Sequence, residues 1–225
     1  MKILSYNIHK CTQAKIDRVL SWGADIMVLP ECARHNEISL PQDYAMEWVG
    51  DDAAPWKGLG VIWNVKHEVM VTPWYHSEHK YILPLTVDGS FLLFATWPTK
   101  VPGGKQSYPQ ILLDALKDYE QYIMTAPTLI CGDFNCYIGQ AGARQSTGTF
   151  EQCIELLKAH GLFSLYHERT GEEFGKESRA TYYHQFKEDK PFFIDYAFTN
   201  IPTFAFETGQ WHRSESDHCP LMIVI

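Results

Sequence analysis

An apolar run, Thr128-Leu129-Ile130-Cys131, stops at Gly132 and delivers an acid and an amide, Asp133 and Asn135, to one spot. The run has the length and composition of a buried strand, and glycine permits the tight backbone that a strand end needs. Asp133 and Asn135 then stand beyond the strand's carboxyl end, where α/β sheets hold their ligands. Such a position can carry a sheet's chemistry. Taken alone, Gly-Asp-x-Asn reads more simply as a turn in which the two side chains bond their own backbone. The chemical reading therefore needs partners at other strand ends.

The chain supplies them. Lys2 to His9 opens as a strand that closes on Asn7, and Asp25 to Cys32 is a second buried strand that runs through Pro30 into Glu31. Between them Ala14 to Trp22 repeats apolar residues at helical spacing (Ile16, Val19, Leu20), with Gly23 as its stop. So short a crossover makes a right-handed βαβ unit with the carboxyl ends of both strands side by side, which sets Asn7 and Glu31 on one rim. Asp195 lies within the apolar run Pro191 to Phe198, where an unpaired charge is expensive, so it requires a partner. Ser216-Asp217-His218 precedes the last strand, Leu221 to Ile225.

The remaining pattern is that of a sheet-rich domain. Short runs at Tyr44 to Val49, Leu59 to Trp63, Val69 to Val71, Lys80 to Val87 and Phe91 to Thr96 indicate mostly antiparallel strands, the last two joined by an Asp88-Gly89 hairpin. Trp48, Trp56, Trp63 and Trp74 fall among them at strand spacing and read as core or sheet-face residues. Gln106 to Met124 is an amphipathic helix feeding the Thr128 strand, and a second helix spans Thr149 to His160. Leu162 to Tyr166 reads as short and extended, and His167 to Ser178 as an exposed loop. Arg179 to Tyr183 and Pro191 to Phe198 read as a strand pair.

Composition limits the function. The 225 residues carry 45% hydrophobic and 20% charged side chains, the balance of a soluble globular protein, with no linker, repeat or low-complexity block, so a single domain over 1–225 is expected. Met1-Lys2 leads straight into a strand, which predicts neither signal peptide nor membrane span and a cytoplasmic location. The six cysteines form no C-x-x-C pair and read as reduced, buried thiols. A net charge of −8 argues against affinity driven by tracking long nucleic acid and toward a small or locally gripped substrate.

Together, Tyr6-Asn7, Pro30-Glu31, Gly132-Asp133-Phe134-Asn135, Ile194-Asp195-Tyr196 and Ser216-Asp217-His218 resemble, in order and over nearly the whole chain, the endonuclease/exonuclease/phosphatase superfamily of DNase I-like metal-dependent phosphoesterases. The resemblance implies an α/β (α+β) four-layer sandwich, two stacked mainly antiparallel sheets flanked by helices, with the site at one end between them. It implies that Glu31 is the main ligand of Mg²⁺, with Mn²⁺ as substitute, and that Asn7 and Asp217 lie beside the metal. Asp133 would activate the attacking water, Asn135 would donate to a phosphoryl oxygen, and His218, aligned by Asp195, would contact the phosphate.

The sequence also departs from that pattern. Where many members carry a histidine at the end of the Phe91 strand, this chain has Trp97, and the acid that follows the first Asn is His9. Trp97 either lines the cleft, stacking on the substrate, or turns into the core, the site then being completed by Tyr108 at the start of the next helix. The expected activity is hydrolysis of a phosphodiester or phosphomonoester in nucleic acid, a nucleotide or a small phosphorylated molecule. The alternative is a non-catalytic protein that binds a phosphate ligand on a retired phosphoesterase scaffold.

Overall fold

The computed structural model describes residues 1–100 and 104–225. The chain opens with β1 (Lys2–Ser5), α1 (Gln13–Leu20) and β2 (Ile26–Cys32), and the two strands pair in parallel through the helix. Thr12 caps α1 by accepting from the Lys15 N–H. Two antiparallel strands follow, β3 (Tyr44–Gly50) and β4 (Gly58–Asn64), then β5 (Val69–Val71), β6 (Ile82–Val87) and β7 (Phe91–Thr96). Asp88 and Gly89, both at positive φ, make the tight turn between β6 and β7.

The helix expected over 106–124 divides at Tyr119 into α2 (Tyr108–Asp118) and α3 (Glu120–Ile123), which lead to β8 (Thr128–Asp133) in parallel with β7. Next come α4 (Phe150–Ala159), with a complete Thr149/Gln152 capping box, and β9 (Phe163–Ser164). The final part holds α5 (Leu165–Thr170), β10 (Tyr182–Tyr183), β11 (Pro191–Phe192), β12 (Asp195–Thr199), β13 (Ala205–Thr208) and β14 (Leu221–Val224).

Two six-stranded sheets result, ordered β13-β14-β1-β2-β4-β3 and β5-β6-β7-β8-β12-β9. Each is mixed, with one parallel pair near its centre and antiparallel strands outside it. Alternation of side chains sorts the layers. Ile3, Ile26, Val28 and Val61 of the first sheet meet Leu83, Leu93, Leu129 and Ala197 of the second in the central core. Leu4, Met27 and Leu29 face the other way onto Ile16 and Val19 of α1, while Ile130, Tyr196 and Phe198 face α2 and α4. The order is helix, sheet, sheet, helix.

Several local expectations are revised. Only Phe163 and Ser164 of the 162–166 stretch are strand, and Tyr166 belongs to α5. His167 is buried, not in an exposed loop: Ser164 Oγ lies 2.8 Å from Nδ1, and the ring stacks on Phe174 at 3.6 Å. Pairing of the 179–183 segment stops at Tyr182–Phe192 and Tyr183–Pro191, because β12 is taken by β8 and β9. Among the tryptophans, Trp74 stacks on Tyr122 and Trp48 donates its indole N–H to the Cys32 carbonyl, but Trp56 is exposed. All six cysteines are free thiols, five of them buried. Among the described residues no helix is long and apolar enough to cross a membrane.

Gly132 is the backbone position on which the site depends. It sits at φ +152° opposite Thr96, and a Cβ there would lie 1.8 Å from the Thr96 carbonyl oxygen. Gly132→Ala should therefore destabilise the fold by about 3 kcal/mol or more, through strain and a forced parting of β7 and β8. Urea denaturation reads this directly, and a loss below about 1 kcal/mol would show that the strand pair has room to spare.

Candidate active site

The topology delivers the acids singled out in the sequence to one end of the sandwich. The end of β8 carries Asp133, which lies opposite Asp195 at the start of the antiparallel β12. The loop after β1 carries Asn7, and the loop before β14, antiparallel to β1, carries Asp217 and His218. Asn7 spans the two sheets, its Nδ2 donating to Asp133 Oδ2 at 3.0 Å. Ser216 ties the same corner together: its Oγ donates to the Asn7 carbonyl at 2.6 Å and accepts from the His218 N–H at 3.1 Å.

Glu31 arrives by a different device. The pairing of β2 with β4 shifts between Pro30 and Cys32, leaving Glu31 as an unpaired bulge residue at φ +61°. A bulge re-aims a side chain, and a non-glycine residue in the left-handed region costs about 1 kcal/mol or more unless its surroundings hold it. Asn135 is also left-handed, at φ +50°, and its backbone N–H donates to Asp133 Oδ1 at 2.9 Å. The simple turn is thus present, and it leaves Asp133 Oδ2 to face Asn7 and His218. The Asn135 amide donates to the Pro98 carbonyl at 3.2 Å.

Asp195 has the partner that its burial demands. Both its carboxylate oxygens lie within 3.1 Å of His218 Nδ1, and the Asp195 N–H donates to Thr181 Oγ1. The other ring nitrogen, Nε2, is 3.8 Å from Asp133 Oδ2. Burial alone would depress the His218 pKa, but the charges of Asp195 and Asp133 outweigh it and hold the imidazole at about 9. Asp133 is pushed up to about 7, by burial first and by Asp195 second, against the pull of His218 and the Asn7 hydrogen bond. A carboxyl that titrates near neutrality beside an imidazolium suits proton transfer.

Two groups could hold a cation. Asp133, Asp195 and His218 present ligand atoms within 4.8 Å of one another. A protonated imidazole is no ligand, however, and the raised His218 favours the paired acid and imidazolium there. Glu31 and Asp217 form the second group. Asp217 Oδ1 is buried without a hydrogen-bond partner, while His9 Nδ1 stands 3.3 Å from that oxygen and 3.9 Å from Glu31 Oε2. An orphaned carboxylate oxygen and a second acid around one point are hard donors, and they fit a hard divalent cation.

Of the residues singled out in the sequence, Asn7, Glu31, Asp133, Asn135, Asp195, Asp217 and His218 come together at this end. Tyr108, at the first turn of α2, is close enough that the Asp133 charge adds to burial in raising its phenol pKa, and Lys100 lies over its ring. Trp97 is corrected as a substrate surface. It is 4% exposed in the central core, edge-on to Tyr81, because an indole at that strand end gains more from burial between the sheets than from the open cleft. Sequence reasoning missed Tyr182, whose ring centroid is 4.6 Å from that of His218, and Lys57, whose Nζ is 3.4 Å from Glu31 Oε1. Neither position carries a sequence signal, since both reach the site through strand pairing.

No protein-family model and no curated protein matches the chain. Solved structures do. It resembles the endonuclease domain of TRAS1, a telomere-specific non-LTR retrotransposon (TM-score 0.68, 12% identity, 100% of this chain and 97% of that one). It also resembles the AP endonuclease LMAP from Leishmania major (TM-score 0.68, 12% identity, 99% and 86%). A third is an endonuclease/exonuclease/phosphatase family protein from Bacteroides thetaiotaomicron (TM-score 0.55, 13% identity, 99% and 96%). The chain therefore has the DNase I-like α/β sandwich fold of the endonuclease/exonuclease/phosphatase proteins.

The Asp195–His218 pair sets the protonation of the site, and this can be read in the metal-free protein. The His218 ring should titrate near 9 by imidazole NMR shifts. In Asp195→Asn, where burial remains and the largest raising charge is lost, the midpoint should fall to about 7 or below. A midpoint that does not move would assign the raised value to some other group.

Proposed function

We propose that the protein is a metal-dependent phosphoesterase that hydrolyses a phosphodiester or phosphomonoester by direct attack of water. The observation that carries this reading is the meeting of Asp133 with two donors, Asn7 at 3.0 Å and His218 at 3.8 Å, with Asp195 behind the histidine. Glu31 and Asp217, with Asn7 beside them, would hold Mg²⁺ or its substitute Mn²⁺. That ion, when bound, supplies positive charge to the phosphoryl and leaving oxygens. The nucleases and the phosphatase-family protein of the same fold support the reaction class.

Each residue then has a task its surroundings explain. Asp133, raised toward neutrality by burial, accepts the proton of the attacking water. Asn7 orients that carboxyl from the facing sheet. The His218 imidazolium donates Nε2–H to a phosphoryl oxygen as charge builds on it, while Asp195 fixes Nδ1–H and the ring's orientation. Asn135 turns its amide to the same phosphoryl group, exchanging its bond to the Pro98 carbonyl. Tyr108, kept as a neutral phenol by burial and by Asp133, lines the cleft beside it.

Turnover of bis(p-nitrophenyl) phosphate with Mg²⁺ or Mn²⁺ tests the reaction, and a binding protein on a retired scaffold would give none. Full activity in excess chelator would remove the metal from the scheme. In Glu31→Gln the metal requirement should move to at least about tenfold higher concentration, since an amide offers a hard cation less charge. Asp133→Ala and His218→Ala should each lower kcat by about 10²-fold or more with folding intact. Near-normal kcat in either folded variant would take that residue out of the chemistry.

A further inference from the structure

Among the described residues, Lys57 is the one lysine or arginine in ion-pair contact with Glu31, the His9 ring nitrogen standing 3.9 Å from the other carboxylate oxygen. It lies immediately before β4, at the end of a turn closed by its own N–H on the Ala54 carbonyl. Because Gly58 pairs with Cys32, that turn abuts the bulge that pushes Glu31 outward. The ammonium sits 3.4 Å from Glu31 Oε1 and 5.5 Å above the ring of Trp97. The face of the buried indole thus forms a floor under the lysine, and the departure at Trp97 acquires a purpose that does not require it to touch substrate. The side chain remains 50% exposed, free to swing on its stem.

Taking the phosphoesterase reading above as given, we propose that Lys57 is a positioning residue that alternates between Glu31 and a phosphoryl oxygen of the substrate. With no metal cation at Glu31, the ammonium neutralises that carboxylate. A divalent cation at Glu31 repels it, and the strongest anion then within reach of its stem is the phosphoryl group that the same cation attracts. Trp97 keeps the ammonium above the site in both positions, because the negative face of the ring attracts a cation without competing for its hydrogen bonds. No bond is made or broken by the lysine.

Two effects of opposite sign follow, which a purely structural role would not produce. In Lys57→Met, calorimetric titration with Mn²⁺ alone should show metal binding about fivefold tighter than wild type, because a competing positive charge is gone. Inorganic phosphate titrated into the Mg²⁺-loaded protein should bind about tenfold more weakly, and KM for bis(p-nitrophenyl) phosphate should rise by a similar factor, with most of the loss in KM and not in kcat. Lys57→Arg should restore phosphate binding. Trp97→Phe should weaken phosphate binding in the wild-type background and add little in Lys57→Met. Unchanged or weaker Mn²⁺ affinity in folded Lys57→Met, or unchanged phosphate affinity, overturns the proposal. If no phosphoester is turned over by the wild type, the function proposed above fails, while the two binding titrations still decide the role of Lys57.

Discussion

Four carboxylates, Glu31, Asp133, Asp195 and Asp217, are held at one end of a sandwich whose walls are apolar, and the structure around them is organised by the need to compensate their charge. Burying an acid is unfavourable unless it is hydrogen-bonded, paired or neutralised, and each acid here meets that demand differently. Asp195 pairs with His218, and Asp133 takes the Asn7 amide and the Asn135 N–H. Glu31 has Lys57 nearby, and Asp217 has only His9 within reach, one of its oxygens remaining without a hydrogen bond. Compensation is complete on the His218 side and incomplete on the Glu31 side. The function proposed above puts proton transfer on the first side and a cation on the second.

The fold makes this concentration possible by placing its parallel pairs near the sheet centres. β1 beside β2 and β7 beside β8 send four carboxyl ends out at one edge, while the antiparallel β12 and β14 bring Asp195 and His218 back to that edge from the other direction. The Asn7 to Asp133 hydrogen bond links the two sheets directly at the site. The relative position of the sheets therefore sets the geometry around Asp133, and the central core of Ile26, Val28, Leu93 and Leu129 fixes that position. Left-handed backbone recurs at that edge, where Glu31 is held by a bulge and Asn135 by a turn on Asp133.

The comparisons with known structures agree with the fold at identities too low for any sequence match, as expected when an architecture is specified by patterning and a few site residues. The departures are local. His9 stands between two acids, and Trp97 lies beneath Lys57 in the core. Both residues lie on the Glu31 side of the cleft.

The strands, the main helices and the site fragments were legible in the sequence because each is written in local terms. Apolar runs that end in Gly132, Pro30 or a polar cluster mark strand ends, and an acid within an apolar run, as at Asp195, announces a partner elsewhere. The continuous apolar runs of β2 and β8 mark strands buried on both faces, and their successive side chains divide between the central and outer cores. Sheet order, the division of the 106–124 helix at Tyr119, the burial of His167 and the inward turn of Trp97 were not legible, since each depends on which distant segment fills the neighbouring space. β12 pairs with β8 and not with the 179–183 segment because β8 offers it a longer ladder, while the short edge strand β9 takes its other side. Lys57 and Tyr182 are ordinary residues in the sequence. They become part of the site only when strand register sets one beside Glu31 and the other against His218, a relation between positions far apart in the chain that no local pattern encodes.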